Sequence, residues 1–226
     1  MKNFVIDLKN LSHRYAGTWA LHRLSFQIDA GEIVAILGPN GCGKTTLLKI
    51  LATRIAPTCG EGTLLGHPLS ETALIRKGIK WLGHELGLYK TLTAAENLKF
   101  FAGICGQKIA GPQIDAVLEK VGLQKSRREK VASFSTGMKK RLSLARILLE
   151  NPKILLFDEP HTNLDQEGKK RMSTLILERK KAGAAVLFSS HDHPETIPLC
   201  DKILALNHGR MVYFGPPGQI PKDVIL

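Results

Sequence analysis

A glycine-rich segment that separates an apolar run from a helical pattern constrains the fold more than any other part of the chain. The apolar run is Ile33–Leu37, and the helical pattern is Leu47–Leu51. Between them lie, in order, Gly38, Pro39, Asn40, Gly41, Cys42, Gly43, Lys44, Thr45 and Thr46. Glycine lets backbone N–H groups approach an anion where a Cβ atom would clash, and a helix N-terminus adds further donors. This strand–loop–helix pattern, with the spacing G-x-x-x-x-G-K-T, therefore predicts a phosphate-binding loop.

The side chains of this loop predict a nucleotide and a metal ion as ligands. The Lys44 ammonium can reach the terminal phosphates of a nucleoside triphosphate, and the Thr45 hydroxyl can ligate Mg²⁺. Cys42 lies close in sequence to Lys44 and to a helix N-terminus, and such surroundings lower the pKa of a thiol. We therefore expect alkylation of Cys42 to block ATP binding.

Composition restricts the class of protein without deciding it. The 226 residues can bury a large core, and no stretch approaches 18 consecutive apolar residues, so we expect no transmembrane helix. Asp7 interrupts the N-terminus before a signal-like core could form, and the four scattered cysteines indicate reduced thiols. The net charge of +12 is compatible with nucleic acid, an anionic membrane or a nucleotide. The basic runs are short and lie on predicted helices, where solvated faces explain them best.

The pattern along the chain predicts an α/β core with a helical insertion. Closely spaced strand patterns at Phe4–Leu8 and Leu24–Ile28 favour an N-terminal antiparallel sheet. We expect a turn-rich connection at Pro57–Gly66 and a strand at Ile79–Gly83. Thr93-Ala94-Ala95-Glu96 has the form of a capping box, and the pattern stays helical almost to Leu149. We assign a single domain, 1–226, with an α/β core at about 1–90 and 150–226 and a helical subdomain at about 91–149.

Two apolar runs in the C-terminal half predict buried parallel strands that end in polar residues. Lys153–Glu159 ends in two acids, and Ala184–Asp192 ends in Ser190, His191 and Asp192. Asp158, at the strand end, suits a metal ligand that acts together with Thr45, and Glu159 is placed to polarise an attacking water. The remaining strand patterns flank Asn207-His208-Gly209 and predict a terminal hairpin.

Ser135-Thr136-Gly137 begins a predicted helix, Lys139–Leu149. A hydroxyl with a flexible glycine at a helix N-terminus can cap that helix, or it can bind an anion. Because this segment lies far from Lys44 in sequence, within the helical insertion, we expect it to act on the ATP of a second molecule.

Taken together, these motifs resemble those of an ABC ATPase over essentially the whole chain. The resemblance identifies Gly38–Thr46 as Walker A, Ile154–Glu159 as Walker B and His191 as the switch histidine. It further matches Ser135-Thr136-Gly137-Met138 to the signature and Thr162–Asp165 to the D-loop. An aromatic side chain near the first strand can stack on adenine, since any base offers a π-face. We favour Tyr15 for this role over Trp19.

Two departures from the family pattern help to indicate which group of ABC ATPases the chain resembles. The signature has Phe134, Thr136 and Met138 in place of the usual Leu, Gly and Gln, and His84 stands where the Q-loop glutamine is expected. Together with Leu92–Leu98, the segment around His84 resembles the ATPase of the cytochrome c maturation haem exporter. A histidine there could contact Mg²⁺ through water and make coupling sensitive to pH.

The resemblance implies a mechanism and partners. Two copies would pair head to tail with two ATP molecules, each ATP held by one chain's phosphate loop and by Ser135 and Gly137 of the other chain. Thr136 and Asp165 are further candidates for nucleotide binding. Lys44, Glu159 and His191 form the catalytic set, and Thr45, Asp158 and His84 are the candidate Mg²⁺ contacts. The membrane partner would be a permease like CcmB, which places this chain peripherally on the cytoplasmic face of the inner membrane. We expect no direct binding of haem or nucleic acid.

Three alternatives remain open on the sequence. An ATPase of another exporter, for drugs, ions or polysaccharides, shares this plan. A soluble ABC ATPase that acts on DNA or ribosomes would suit the basic charge, but such proteins usually carry two fused nucleotide domains or a long insertion. A stand-alone P-loop kinase or GTPase has no need of Ser135-Thr136-Gly137, and the chain has no N-K-x-D guanine motif.

Overall fold

The computed structural model describes residues 4–83, 85–190 and 197–221. These residues divide into two compact units. The α/β unit consists of the residues up to Trp81, Lys153–Pro160 and the residues from Ile176 onward. The helical unit consists of Leu82–Pro152 and His161–Leu175. The assignment of 1–226 to a single domain, with the boundaries given above, stays a prediction.

An antiparallel sheet in the α/β unit has the strand order β2-β1-β4-β5. Its strands are β1 (Ile6–Tyr15), β2 (Thr18–Ile28), β4 (Cys59–Leu64) and β5 (His67–Pro68). The predicted antiparallel sheet near the N-terminus is therefore confirmed. Ala16 and Gly17, both with positive φ, form the tight turn between β1 and β2.

Strand β4 lies where we expected only a turn-rich connection, and that expectation was wrong. The sequence of β4, Cys-Gly-Glu-Gly-Thr-Leu, carries two glycines, which disfavour strands. The sheet itself explains Gly60, because a Cβ atom at this position would lie 2.3 Å from the Asn10 carbonyl oxygen. Glycine here permits close approach of two strands rather than a turn.

The second sheet of the α/β unit has six strands in the order β10-β9-β3-β8-β7-β6. Its strands, in chain order, are β3 (Ile33–Leu37), β6 (Ile79–Leu82), β7 (Ile154–Asp158), β8 (Ala185–Ser189), β9 (Lys202–Asn207) and β10 (Arg210–Gly215). Every residue of β3, β7 and β8 is buried, which is why these strands appear as unbroken apolar runs in the sequence. Parallel pairing aligns Asp158 with Ser189 and Ser189 with Ile36, so three strand ends meet at one edge. Strands β9 and β10 form the predicted terminal hairpin.

Two helices complete the α/β unit up to β6. Helix α1 (Lys44–Leu51) begins directly after the glycine-rich loop, and its buried Leu47, Leu48, Ile50 and Leu51 belong to the core shared with both sheets. Burial of each such side chain contributes about 1.5–3 kcal/mol, and this holds the start of α1 in place. Helix α2 (Thr72–Gly78) leads into β6.

The helical unit contains α3 (Ala94–Ile104), α4 (Gly111–Lys120), α5 (Thr136–Leu149) and the start of α6 (Gln166–Lys181). The predicted capping box is present: the Glu96 backbone N–H donates to Thr93 Oγ1, and the Thr93 N–H donates to Glu96 Oε2. Helix α5 begins three residues before the expected Lys139, because Ser135 caps it by accepting from the Met138 N–H. None of the helices in the described ranges is long and apolar enough to cross a bilayer.

Candidate functional site

The glycine-rich loop between β3 and α1 turns its lysine back over its own backbone. The Lys44 ammonium donates to the carbonyl oxygens of Gly38, at 2.6 Å, and Pro39, at 3.0 Å. Gly43 has φ of +109°, and a Cβ atom there would lie 2.5 Å from the Ala20 carbonyl oxygen. Gly38 is equally constrained, since its Cβ would lie 2.1 Å from the Leu206 carbonyl oxygen. The loop thus presents a largely buried positive charge in a backbone shape that only glycine permits at these two positions.

The carboxylate at the end of β7 meets the hydroxyl that follows this lysine. Thr45 Oγ1 donates to Asp158, at 2.9 Å from Oδ2 and 3.2 Å from Oδ1. Thr45 is on the first turn of α1 and Asp158 is the last residue of β7, so the two elements fix the backbone positions of the pair. The structure brings together two residues that are 113 positions apart in sequence.

Ser189 extends this pair into a chain of hydrogen bonds. Its hydroxyl donates to Asp158 Oδ1 at 2.7 Å and accepts from the Glu159 backbone N–H at 2.9 Å. Glu159 has φ of +53°, a left-handed conformation that is costly for this residue type and persists only where neighbouring groups hold it. No role of Ser189 was predicted from the sequence. Its position at the end of a second buried strand was the available signal, since parallel strands end at one edge.

The oxygen atoms of Thr45 and Asp158 fit a hard divalent cation. Hydroxyl and carboxylate oxygens are the donors that Mg²⁺ prefers, and Mg²⁺ bound by few protein groups completes its shell with water and phosphate. A bound Mg²⁺ would neutralise charge on the phosphates. The third predicted contact, His84, lies outside the described residues, as does the predicted catalytic His191.

The expectation that the pKa of the Cys42 thiol is lowered was wrong. Cys42 is buried, and this burial raises the pKa of its thiol, outweighing the opposite effect of the nearby Lys44 ammonium. A helix N-terminus and a lysine activate a thiol only when the thiolate is also solvated. The thiol packs against the loop from inside, 2.7 Å from the position that a Cβ atom on Gly38 would take.

The two aromatic candidates for adenine stacking lie near the turn between β1 and β2. Tyr15 is 48% exposed, and its ring meets that of His13 edge to face at 4.6 Å. Trp19 is 41% exposed and stacks on His22, with ring centroids 5.5 Å apart. Tyr15 is paired with Thr18, and Trp19 with Arg14, across the hairpin. Both rings are available for stacking, so the preference for Tyr15 stays a prediction.

In the helical unit, the signature residues lie at the N-terminus of α5. Ser135 and Thr136 are exposed, and the Ser135 hydroxyl accepts from the Met138 N–H at 3.2 Å. A Cβ atom on Gly137 would lie 3.1 Å from the Asn163 carbonyl oxygen, so glycine lets the D-loop segment approach. Lys140 of α5 donates to the Thr162 carbonyl oxygen at 3.0 Å.

Asp165 ends this D-loop segment at the start of α6. Its carboxylate accepts from the Gly168 N–H at 2.8 Å, in the manner of a helix cap. The structure therefore assigns Asp165 a capping contact. A direct contact of Asp165 with nucleotide stays a prediction.

A second group of residues in the helical unit was not predicted from the sequence to have a role. Asn97 of α3 is fully buried, and its amide donates to the carbonyl oxygens of Tyr89 and Thr93 while accepting from the Tyr89 N–H. From α5, Ser143 donates to the Leu86 carbonyl oxygen and Arg146 to that of Gly87. The segment 85–92, which belongs to no helix or strand, is thus fastened from both sides.

Tyr89 in this segment begins an aromatic cluster. Its ring lies 4.7 Å from that of Phe100 and 5.8 Å from that of Phe101, while the Arg146 guanidinium covers Phe101 at 4.4 Å. Tyr89, Phe100 and the neighbouring Ile104 are exposed. We call these four residues, Tyr89, Phe100, Phe101 and Ile104, the aromatic patch.

The phosphate loop, the Thr45–Asp158 pair and the parallel sheet that positions them define a P-loop ATPase. The model of the ABC transporter family matches residues 21–162. The chain belongs to this family and is an ATP-binding subunit of an ABC transporter.

Individual relatives agree with this assignment. The uncharacterized ABC transporter ATP-binding protein YybJ of Bacillus subtilis is 35% identical over 209 residues, which cover 92% of this chain and 94% of the relative. The linearmycin resistance ATP-binding protein LnrL of the same organism is 31% identical, over 93% of this chain and 69% of its own. Among solved structures, the dimeric post-hydrolysis state of the ATP-binding cassette MJ0796, bound to ADP and Pi, superposes with a TM-score of 0.85. It is 26% identical and covers 94% of this chain and 98% of its own.

Proposed function

We propose that this chain hydrolyses ATP with Lys44, Thr45, Asp158 and Glu159 and energises a haem exporter of cytochrome c maturation. The observation that carries the ATPase part is the hydrogen-bond chain from Thr45 through Asp158 and Ser189 to the Glu159 backbone. It ties the residues that would hold Mg²⁺ to the residue that would act on water. ATP is the nucleotide of the family to which the chain belongs.

Each residue has a distinct part in this mechanism. Lys44 would exchange its loop carbonyl contacts for phosphate oxygens, and Thr45 and Asp158 would hold Mg²⁺. Glu159 would orient the attacking water, and His191 would contact the terminal phosphate. Ser135, Thr136, Gly137 and Asp165 would meet the ATP bound by a second copy, paired head to tail. The dimeric state of the similar cassette that binds ADP and Pi supports pairing of two copies.

The haem-export assignment rests on the resemblance of the segment from His84 to Leu98. We propose that this segment contacts a permease like CcmB, with the chain held peripherally at the cytoplasmic face of the inner membrane. The aromatic patch supports a membrane-embedded partner, because exposed apolar clusters on one face mark contact sites. Ser143 and Arg146 then connect the signature helix α5 to the segment that would meet the permease.

The test is to recover the tagged protein from detergent-solubilised native membranes and to identify the proteins that accompany it. Haem-handling cytochrome c maturation subunits would support the full proposal. A different permease would retain the transporter subunit and remove the haem assignment. Ribosomes or DNA without any membrane protein would contradict the proposal, and the salt dependence of such binding would then be measured.

A second candidate cargo is a drug. The similarity to the linearmycin resistance ATP-binding protein favours it, since a shared ATPase plan accommodates different permeases. Cells that lack this chain distinguish the two cargoes. Loss of covalently attached haem in c-type cytochromes supports haem export, whereas increased drug sensitivity with normal cytochromes supports drug export.

A further inference from the structure

A surface pocket of about 450 Å³ opens on the antiparallel sheet, and of the residues considered for ATP only Trp19, the less favoured candidate for adenine stacking, lines it. Residues of β1, β2 and the start of β4 line it, among them Asn10, Ser12, Trp19, His22, Arg23 and Cys59. Small-molecule sites in proteins typically have volumes of about 300–1,000 Å³. The pocket is therefore large enough for an organic ligand.

The backbone, rather than loose side chains, shapes this pocket. Asn10 and Arg23 both line it, and both have left-handed backbones, with φ of +51° and +53°. Hydroxyl groups hold both: the Asn10 N–H donates to Ser25 Oγ and the Arg23 N–H to Ser12 Oγ, each at 2.8 Å. Strained non-glycine residues that are held in this way concentrate at ligand sites. The pairing of β1 with β2 also shifts register between Leu8 and His13, and such bulges open a concave surface.

The lining combines an aromatic ring with positive charge. Trp19 rests one face of its ring on His22, and the guanidinium of Arg14 lies 5.9 Å from the Trp19 ring centre. Arg23 adds a second guanidinium at the wall, and the lining residues of this pocket within the described chain include no carboxylate. The buried Nδ1 of His22 also lacks a hydrogen-bond partner among the described residues. Buried polar atoms in folded proteins are normally satisfied by protein, water or ligand.

We propose that this pocket binds a planar aromatic anion of the size of a nucleoside monophosphate. The ring of the ligand stacks against Trp19, and its negative group is bound by Arg23 and Arg14. The Asn10 amide and His22 Nδ1 supply hydrogen bonds to the polar edge of the ring. Stacking on an aromatic side chain beside cationic groups binds nucleobases without reading their identity, because every base has a π-face. The site does not depend on the proposed transport function.

The experiment uses Trp19 as its own reporter. The chain has two tryptophans, so Trp81→Phe leaves Trp19 as the only indole fluorophore. The full-length Trp81→Phe/Glu159→Gln protein, saturated with MgATP to fill the ATP site, is titrated with AMP and with GMP. We expect saturable quenching of the Trp19 fluorescence by both mononucleotides.

Matched variants make the result specific. Arg23→Gly removes the guanidinium and suits the left-handed backbone, so it should fold and raise the Kd about tenfold, as loss of a charge-assisted contact does. Lys181→Ala, which removes one exposed positive charge from α6, should leave the Kd unchanged.

Quenching that does not saturate, or that Arg23→Gly leaves unchanged, would overturn the proposal. Disappearance of the quenching once MgATP is bound would assign it to the ATP site. Saturable quenching by a short oligonucleotide but by neither mononucleotide would replace the proposal with a nucleic-acid surface.

Discussion

The α/β unit and the helical unit hold their functional residues by different means. At the phosphate loop, Asp158 and Ser189 are the last residues of fully buried strands, so burial of neighbouring apolar side chains fixes them. In the helical unit, the segment 85–92 has no regular structure. It is held by the side chains of Asn97, Ser143 and Arg146 and by backbone hydrogen bonds from Val131 and Ala132. A residue at the end of a buried strand keeps its position when one neighbouring side chain is changed, whereas a loop held largely by side-chain hydrogen bonds does not. Substitutions in the two regions should therefore have different effects.

The largest effect is expected at the chemical step in the α/β unit. Glu159→Gln should lower ATP turnover by about 10²–10³ while ATP affinity stays near that of the wild type, because a well-placed group that acts in the transition state contributes roughly 3–4 kcal/mol. The measurement is steady-state phosphate release together with ATP binding by equilibrium dialysis. Glu167→Gln, at an exposed position of α6, serves as the control. Normal turnover in Glu159→Gln would remove this residue from the mechanism.

Asn97→Ala should destabilise the folded chain by about 3 kcal/mol, because it leaves the Tyr89 N–H without its partner and removes one hydrogen bond each from the carbonyl oxygens of Tyr89 and Thr93. Urea unfolding measures the loss, and hydrogen exchange should show faster exchange in the segment 85–93. Asn207→Ala, at an exposed residue of β9, is the matched control. A loss below about 0.5 kcal/mol would show that the segment is held in another way.

A smaller effect is expected for Ser143→Ala, which removes one hydrogen bond to the Leu86 carbonyl oxygen and leaves Asn97 in place. We expect about 1 kcal/mol in urea unfolding. Ser133→Ala, whose hydroxyl bonds only locally to Lys130, provides the comparison. Equal losses in the two serine variants would mean that α5 does not hold the segment.

The smallest effect concerns the reactivity of the Cys42 thiol and its dependence on pH. Because burial raises the pKa of this thiol, its thiolate fraction is below that of an ordinary cysteine at neutral pH, and a higher pH is needed to form the thiolate. Iodoacetamide should therefore label the exposed Cys59 and Cys105 at pH 7.5 before it labels Cys42. Peptide mass spectrometry after timed labelling checks the order. Rapid labelling of Cys42 at neutral pH would restore the expectation of an activated thiol.

The same contrast explains how far the sequence alone leads. Lys44, Thr45 and the two acids Asp158 and Glu159 were predictable, because an apolar run followed by a glycine-rich loop or by two acids marks the edge of a parallel sheet. The hydrogen bonds of Ser143 and Asn97 were not, since a polar residue within a helix looks alike whether it faces solvent or holds a distant carbonyl. Burial of Cys42 was missed for a related reason: neighbours in sequence indicate charge, but solvation depends on the packing of the whole loop. Strand β4 was missed because its glycines serve close strand approach.

The Ser189 hydroxyl fixes the direction of the hydrogen bonds where β7 and β8 end. A hydroxyl has one proton, and Ser189 donates it to Asp158, so toward the Glu159 N–H it can act only as an acceptor. The Thr45 and Ser189 hydroxyls both donate to the Asp158 carboxylate, and the Glu159 N–H is linked to that carboxylate through Ser189. Any change of charge at Asp158, such as the arrival or departure of a cation, alters the strength of every bond in that series. The left-handed backbone of Glu159 is therefore sensitive to the electrostatic state of a site that its own side chain need not touch.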